Sequence, residues 1–116
     1  MRVHHIAFRT TNLERLERFY VDTLGFSVVR RTTESIWLDA AGSILMLERR
    51  GPTESAISRN CMELVAFAID AKEGAAYEAR LARAGAIVDE RTAFTIYVRD
   101  PDDRRIGFSS FPEPLA

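Results

Sequence analysis

The sequence predicts an α+β fold built from two copies of one βαβββ module, and three observations support this prediction. The segment at residues 3–9 has an echo at residues 63–69, and placing Ile6 over Val65 sets a register of 59 residues, about half of the chain. Apolar residues with helical spacing follow each copy, and three strand-like segments follow each helix. In both copies apolar residues alternate with others, as in a strand that packs one face on a helix and turns the other toward a cavity or a second sheet.

Module one is predicted to span residues 1–50. Asn12 suits the N-cap of its helix, and Gly25 suits the C-terminal stop. The apolar stripe of this helix consists of Leu13, Leu16, Phe19, Tyr20 and Leu24. The following strands are predicted at residues 26–31, 36–40 and 44–49, with Gly42 in the last turn.

Module two is predicted to span residues 61–111, after a Gly, Pro, Ser and Thr-rich linker at residues 51–60. Asp70 is expected to cap its helix and Gly85 to end it. The apolar residues assigned to this helix are Ala75, Ala76, Ala79 and Leu81. Strands are predicted at residues 86–90, 94–99 and 105–111, with a turn at residues 100–103. The Pro-containing tail at residues 112–116 is expected to be extended and mobile.

Composition bounds the function classes. The chain has 116 residues, 47% apolar and 28% charged, with a formal net charge of -1, which fits a single domain over residues 1–116. This balance argues against a nucleic-acid or membrane-surface partner. Cys61 is the only cysteine, so no internal disulfide can form and a reducing compartment is favoured. Without an apolar leader segment at the N-terminus, the protein is expected to be cytoplasmic.

Two motifs carry a resemblance to a known family. Residues 12–26, NLERLERFYVDTLGF, resemble the first helix of the vicinal oxygen chelate (VOC) superfamily, which includes glyoxalase I, bleomycin-resistance proteins and extradiol dioxygenases. Residues 100–106, DPDDRRI, resemble the family's Asp-Pro-Asp-Gly turn into its last strand. The resemblance implies that the modules curl eight strands into an open, cup-shaped mixed sheet, and that the protein is a homodimer.

The resemblance also implies where a metal would bind. The superfamily's metalloenzymes hold one divalent ion on four ligands from the first and last strands of each module, and the matching positions here are His5, Met46, Leu64 and Gly107. Of these only His5 suits a hard or borderline metal, whereas catalytic sites normally use about three protein ligands. The sequence therefore predicts no metal cofactor. A two-ligand site on His5 and Glu48 is the alternative.

The alternation also assigns the residues that would line the cup. These are His5, Ala7, Arg9, Trp37, Met46 and Glu48 from module one, with Leu64, Ala66, Tyr97, Gly107 and Ser109 from module two. Such a lining suits a planar or apolar small molecule, held by Trp37 and Tyr97 and oriented by His5, Arg9 and Glu48. The plainer alternative is that both aromatic residues fill the core and that Arg9 and Glu48 form a structural ion pair.

Three hypotheses for function follow. The first is a metal-free VOC protein that binds a small apolar or aromatic molecule. The second is an enzyme, which either runs lyase, isomerase or dioxygenase chemistry with a metal on His5 and Glu48, or uses His5 as a general base with Arg9 stabilising an enolate-like charge. The third is an interaction module that binds no ligand.

Overall fold

A computed structural model describes all 116 residues, which form two compact units, Met1–Ala56 and Ile57–Ala116. The boundary lies within the segment predicted as a linker. Each unit contains one βαβββ module with its own four-stranded mixed sheet, so the predicted α+β class and the repeated plan are confirmed. Hydrogen bonds group the eight strands as four and four.

Module one has the strand order β1-β4-β3-β2, in which β1 and β4 run parallel and the other neighbours are antiparallel. Its elements are β1 (Ile6–Thr10), α1 (Leu13–Glu17) continued by a π-helical segment (Arg18–Thr23), β2 (Ser27–Arg31), β3 (Ser35–Asp39) and β4 (Ile44–Arg49). The first strand begins three residues later than predicted, because its pairing with β4 starts at Ile6 opposite Leu45.

The helix of module one packs its apolar stripe against the sheet. The Asn12 side chain accepts a hydrogen bond from the Arg15 backbone N–H, which confirms the predicted N-cap. All five predicted stripe residues are buried. Phe19 and Tyr20 are neighbours in sequence, and the wider π turn, with less rotation per residue, brings both into the core, where their rings meet edge to face. Gly25 then ends the helix with a φ of 84°.

Module two repeats this topology with the strand order β5-β8-β7-β6. Its elements are β5 (Val65–Ala68), a 3₁₀ turn (Ala71–Glu73), α2 (Gly74–Arg83), β6 (Val88–Arg91), β7 (Thr95–Arg99) and β8 (Arg105–Ser109). The duplication extends to detail, since each module has a register shift at the matching place in its edge strand, between Val28 and Arg30 and between Val88 and Glu90.

The buried face of α2 differs from the predicted one. Ala75, Ala76 and Ala79 are exposed. Leu81 is buried as predicted, Gly74 is buried with it, and the Tyr77 ring stacks on Phe108 with centroids 5.1 Å apart. The prediction was wrong because alanine gives a weak hydrophobic signal and the aromatic ring supplies most of the packing area.

Two local predictions about module two also need correction. Asp70 precedes its helix, but its side chain makes no capping hydrogen bond. The tail is held rather than free: the backbone N–H of Leu115 donates to the carbonyl of Ala93 and that of Ala116 to Ala71. The Leu115 side chain lies over Gly74, where an added Cβ would come within 2.9 Å of it. The tail at residues 112–116 is thus held against module two by backbone hydrogen bonds and by the packing of Leu115, although it forms no helix or strand.

The turn before β8 has the predicted form. Asp103 has a φ of 63°, the left-handed conformation expected at its end. The Asp100 side chain is fully buried and accepts hydrogen bonds from the backbone N–H groups of Asp102 and Arg104. Its second oxygen lies 2.6 Å from Arg104 Nη1, so a buried ion pair fixes this turn. No helix of the chain has the length and apolarity needed to cross a membrane.

Candidate functional site

The predicted lining residues of module one share one side of its sheet, which we call the helix-distal face because α1 packs on the other side. Ala7 pairs with Met46 and Arg9 with Glu48 across β1 and β4, and Trp37 pairs with Met46 across β3 and β4. Directly opposed residues in a sheet point to the same side. The alternating positions on the helix side are buried: Phe8, Ile36, Leu38, Leu45 and Leu47.

His5 lies just before β1 and is exposed. Its ring centroid is 5.0 Å from that of the half-buried Trp37, with a tilt of 50° between the rings. Its Nδ1 lies 2.9 Å from Nδ1 of His4, a residue to which the sequence assigned no role. One imidazole donates to the other in such a contact, so the tautomers of the two side chains are linked.

Arg9 and Glu48 form an ion pair, the structural alternative left open by the sequence. Arg9 is bound further by Glu54, whose oxygens lie 2.7 Å from Nε and 2.5 Å from Nη2. The hydrogen bonds from Arg9 and from the Gly51 backbone N–H lower the pKa of Glu54 to about 2. The same carboxylates, Glu54 first, raise the pKa of Arg9. Two carboxylates therefore neutralise this guanidinium, which works against its predicted role in stabilising an enolate.

In module two, Leu64 and Gly107 pack together. A Cβ added to Gly107 would lie 3.4 Å from Leu64 Cδ1, 3.4 Å from Tyr97 Cδ1 and 3.3 Å from Thr95 Cγ2. Ser109 accepts a hydrogen bond of 2.8 Å from the Thr95 hydroxyl. The space at Gly107 is thus filled by neighbouring side chains.

In module two, Tyr77 of α2 packs on Phe108, so the neighbouring position Gly107 and its partner Tyr97 lie on the other side of the sheet, which we call the helix-distal face of module two. The sequence missed two arginines on this face, Arg99 and Arg105. Arg105 lies with its guanidinium carbon 4.2 Å from the centroid of the Tyr97 ring, so one face of that ring is covered. Arg99 pairs directly with Arg105 across β7 and β8. The alternation that assigns Tyr97 and Gly107 to this face also assigns Arg99, two residues after Tyr97, and Arg105, two residues before Gly107.

Module one also contains a hollow of about 320 Å³ beside the start of β1 and the turn between β3 and β4. Its lining consists of Arg2, Val3, His4, His5, Ile6, Gly42, Ser43 and Ile44. Of the predicted lining residues only His5 borders it. The prediction that the lining sets of both modules share one cup stays a prediction.

The side chains do not fit a divalent metal of the kind that the resemblance implies. No group of three or more His, Cys, Asp or Glu side chains is placed to hold an ion. Glu48, the second ligand of the alternative site, is paired with Arg9. Leu64 and Gly107 offer no side-chain donor atom, and Leu64 Cδ1 would lie 3.4 Å from a Cβ added at position 107.

Comparisons with known proteins agree on the fold. A family model described as Glyoxalase/Bleomycin resistance protein/Dioxygenase superfamily matches residues 2–108. A glyoxalase/dioxygenase from Nostoc punctiforme superposes with a TM-score of 0.80 at 22% identity, covering 97% of this chain and 92% of that one. Leishmania major glyoxalase I, described as trypanothione-dependent, gives 0.76 at 20% identity, covering 95% and 86%.

A third solved structure is similar to the same extent. The fosfomycin resistance protein FosX from Mesorhizobium loti gives a TM-score of 0.77 at 17% identity, covering 94% of this chain and 91% of that one. At sequence identities of 17–22%, these three similarities show that the proteins share a fold. Among curated protein sequences, none matches.

Proposed function

Because the chain belongs to the Glyoxalase/Bleomycin resistance protein/Dioxygenase superfamily, we propose that it is a metal-independent member of it that binds a small aromatic or apolar molecule. The binding surface is the His5 end of the helix-distal face of module one. The single observation that carries the proposal is the contact of the exposed His5 ring with Trp37, beside a hollow of about 320 Å³. That volume lies at the lower end of the range typical of ligand pockets.

The chemistry of this surface suits a planar ligand with one polar group. Trp37 and Met46 supply polarizable area on adjacent strands. His5 supplies a ring nitrogen that can donate or accept a hydrogen bond. The charge of Arg9 is already balanced by Glu48 and Glu54, so this part of the face favours a neutral ligand over a strongly ionic one.

The enzymatic alternatives have less support. A metal on His5 and Glu48 would compete with the ion pair that Glu48 makes with Arg9. The version with His5 as general base assigns Arg9 to stabilise the enolate, and Arg9 is engaged by two carboxylates.

Fluorescence of Trp37 tests the proposal directly, because it is the only tryptophan in the chain. We expect at least one compound from a panel of uncharged aromatic molecules to quench it saturably. Replacing His5→Ala should weaken that binding several-fold, since the ring contact is lost. The control is Ile87→Ala, which removes an exposed apolar side chain of module two that does not border the hollow and should leave the affinity unchanged.

Two results would count against the proposal. One is the absence of saturable quenching by any compound in the panel. The other is equal affinity in the unsubstituted protein and in the His5→Ala variant, which would separate quenching from binding at this surface.

A further inference from the structure

Two arginines stand side by side on the helix-distal face of module two. Arg99 on β7 and Arg105 on β8 are directly opposed in the sheet register. Their side chains are only 12% and 8% exposed. Like charges directly opposite each other destabilise a sheet, and burial raises this cost, so the arrangement requires compensating negative charge.

The compensation within the chain comes from two exposed carboxylates on the edge strand. Asp89 Oδ2 lies 3.3 Å from Arg99 Nε, and Glu90 Oε2 lies 2.8 Å from Arg105 Nη2. The carboxylate side chains are 40% and 56% exposed, so solvent screens their charge. They approach the guanidiniums from the β6 side and leave other donors unfilled.

Some donors of the two guanidiniums have no strong acceptor within the chain. Nε of Arg105 is buried and has no hydrogen-bond partner. Nη1 of Arg99 donates to the carbonyls of Cys61 and Asp103, but its Nη2 contacts only the sulfur of Met62, at 3.9 Å, and a thioether is a weak acceptor. A buried donor left without a partner costs free energy that an oxyanion would restore.

Arg105 is also held in place before any ligand arrives. Its guanidinium lies over the Tyr97 ring, and Glu90 holds one of its Nη groups. A positioned guanidinium loses little side-chain entropy when it binds a planar or tetrahedral oxyanion.

We infer that Arg99 and Arg105 form a recognition site for an oxyanion, the carboxylate or phosphonate group of a small organic molecule, with Arg105 Nε as its central donor. The inference rests on module two alone. It is independent of the ligand surface proposed for module one, and its test does not use Trp37.

The Nε–Hε signal of Arg105 in a ¹⁵N-correlated NMR spectrum reads the site directly. The signal that disappears in the Arg105→Lys variant is the one to follow. Benzoate, phenylphosphonate and benzamide serve as probes, because the first two carry the oxyanions and the third is a neutral analogue of benzoate. We expect a saturable shift with benzoate or phenylphosphonate and none with benzamide, and the two anions distinguish a carboxylate from a phosphonate ligand.

Variants separate recognition from a structural role. Arg105→Lys keeps the positive charge but loses the planar set of N–H donors of the guanidinium, so it should weaken anion binding about tenfold or more. The matched control, Arg83→Lys on the exposed end of α2, should leave it unchanged. Glu90→Gln removes the competing carboxylate and should tighten binding, whereas a purely structural ion pair would show no anion binding in any variant.

The inference is overturned if neither anion shifts the Arg105 Nε–Hε signal saturably in the unsubstituted protein. It is also overturned if Arg105→Lys, shown to be folded by its thermal melt, binds the anion as tightly as the unsubstituted protein does when both are titrated by isothermal calorimetry, which does not depend on the Arg105 signal.

Discussion

Replacing Gly107→Ala tests how closely the side chains of module two pack around position 107, which the family resemblance matches to a metal ligand. A Cβ there would meet Thr95, Tyr97 and Leu64 at 3.3 to 3.4 Å. Leu64 is 38% exposed and can move aside. Thr95 is held by its hydrogen bond to Ser109, and Tyr97 lies beneath the guanidinium of Arg105.

The sign and size of the effect follow from two opposing terms. Alanine restricts the unfolded chain more than glycine does, which stabilises the protein by about 0.4–1 kcal/mol where the backbone is compatible. Forcing a methyl group against restrained neighbours costs about 1–3 kcal/mol. We therefore expect Gly107→Ala to lower the free energy of unfolding by about 1 kcal/mol, measured by urea denaturation with an unchanged m-value.

A double-mutant cycle identifies the cause. Thr95→Ser removes the methyl group nearest to the added Cβ and keeps the hydroxyl that donates to Ser109. In that background the cost of Gly107→Ala should fall by about 0.5–1 kcal/mol. Strict additivity, or a Gly107→Ala protein more stable than the unsubstituted one, would refute the view that Gly107 is enclosed.

Two further predictions concern ion pairs. Arg9→Ala should return the pKa of Glu54 from about 2 toward the ordinary value of about 4.3, observed in a ¹³C NMR titration of the side-chain carboxylates, while Glu14, whose pKa is lowered by its own backbone N–H and by Arg49, stays unchanged. Because folding lowers the pKa of Glu54, the stabilisation from its pair with Arg9 is complete above about pH 4.3 and is lost as the pH falls toward 2. The assignment is contradicted if the free energy of unfolding of Arg9→Ala falls over this window by as much as that of the unsubstituted protein. Asp100→Ala should cost about 3–5 kcal/mol in the free energy of unfolding, because it removes the fully buried carboxylate that pairs with Arg104 and accepts from two backbone N–H groups. Asp100→Asn should cost less, since an amide oxygen can still accept from the backbone N–H groups of Asp102 and Arg104; equal losses in the two variants would show that those backbone hydrogen bonds contribute little.

Sequence periodicity was enough to predict the repeated βαβββ plan, but it did not predict the strand order within each sheet. The register that places Ile6 over Val65 corresponds to two parallel pairings, Ile6 with Leu45 and Val65 with Ile106. Alternation along short strands fixes which residues share a face, because a slip of one residue would bury the wrong side. Strand ends were less predictable. Val3 lies in the apolar segment predicted as the first strand, but pairing with β4 begins only at Ile6.

The parts of the candidate site that were missed depend on long-range contacts. Glu54 lies in a segment without periodicity, and only the fold brings its carboxylate to Arg9. Arg99 and Arg105 interrupt an apolar pattern, and charged residues are rarely expected to be buried. Leu115 follows two prolines, and its packing on Gly74 has no local signal.

Metal content tests most directly whether this member of the superfamily works without an ion. The measurement is the molar ratio of divalent metals to protein, determined by elemental mass spectrometry on protein purified without chelators. We expect a ratio well below one for every divalent metal, because Leu64 and Gly107 have no donor atoms and Glu48 is paired with Arg9. A stoichiometric divalent ion that survives dialysis would contradict the proposal.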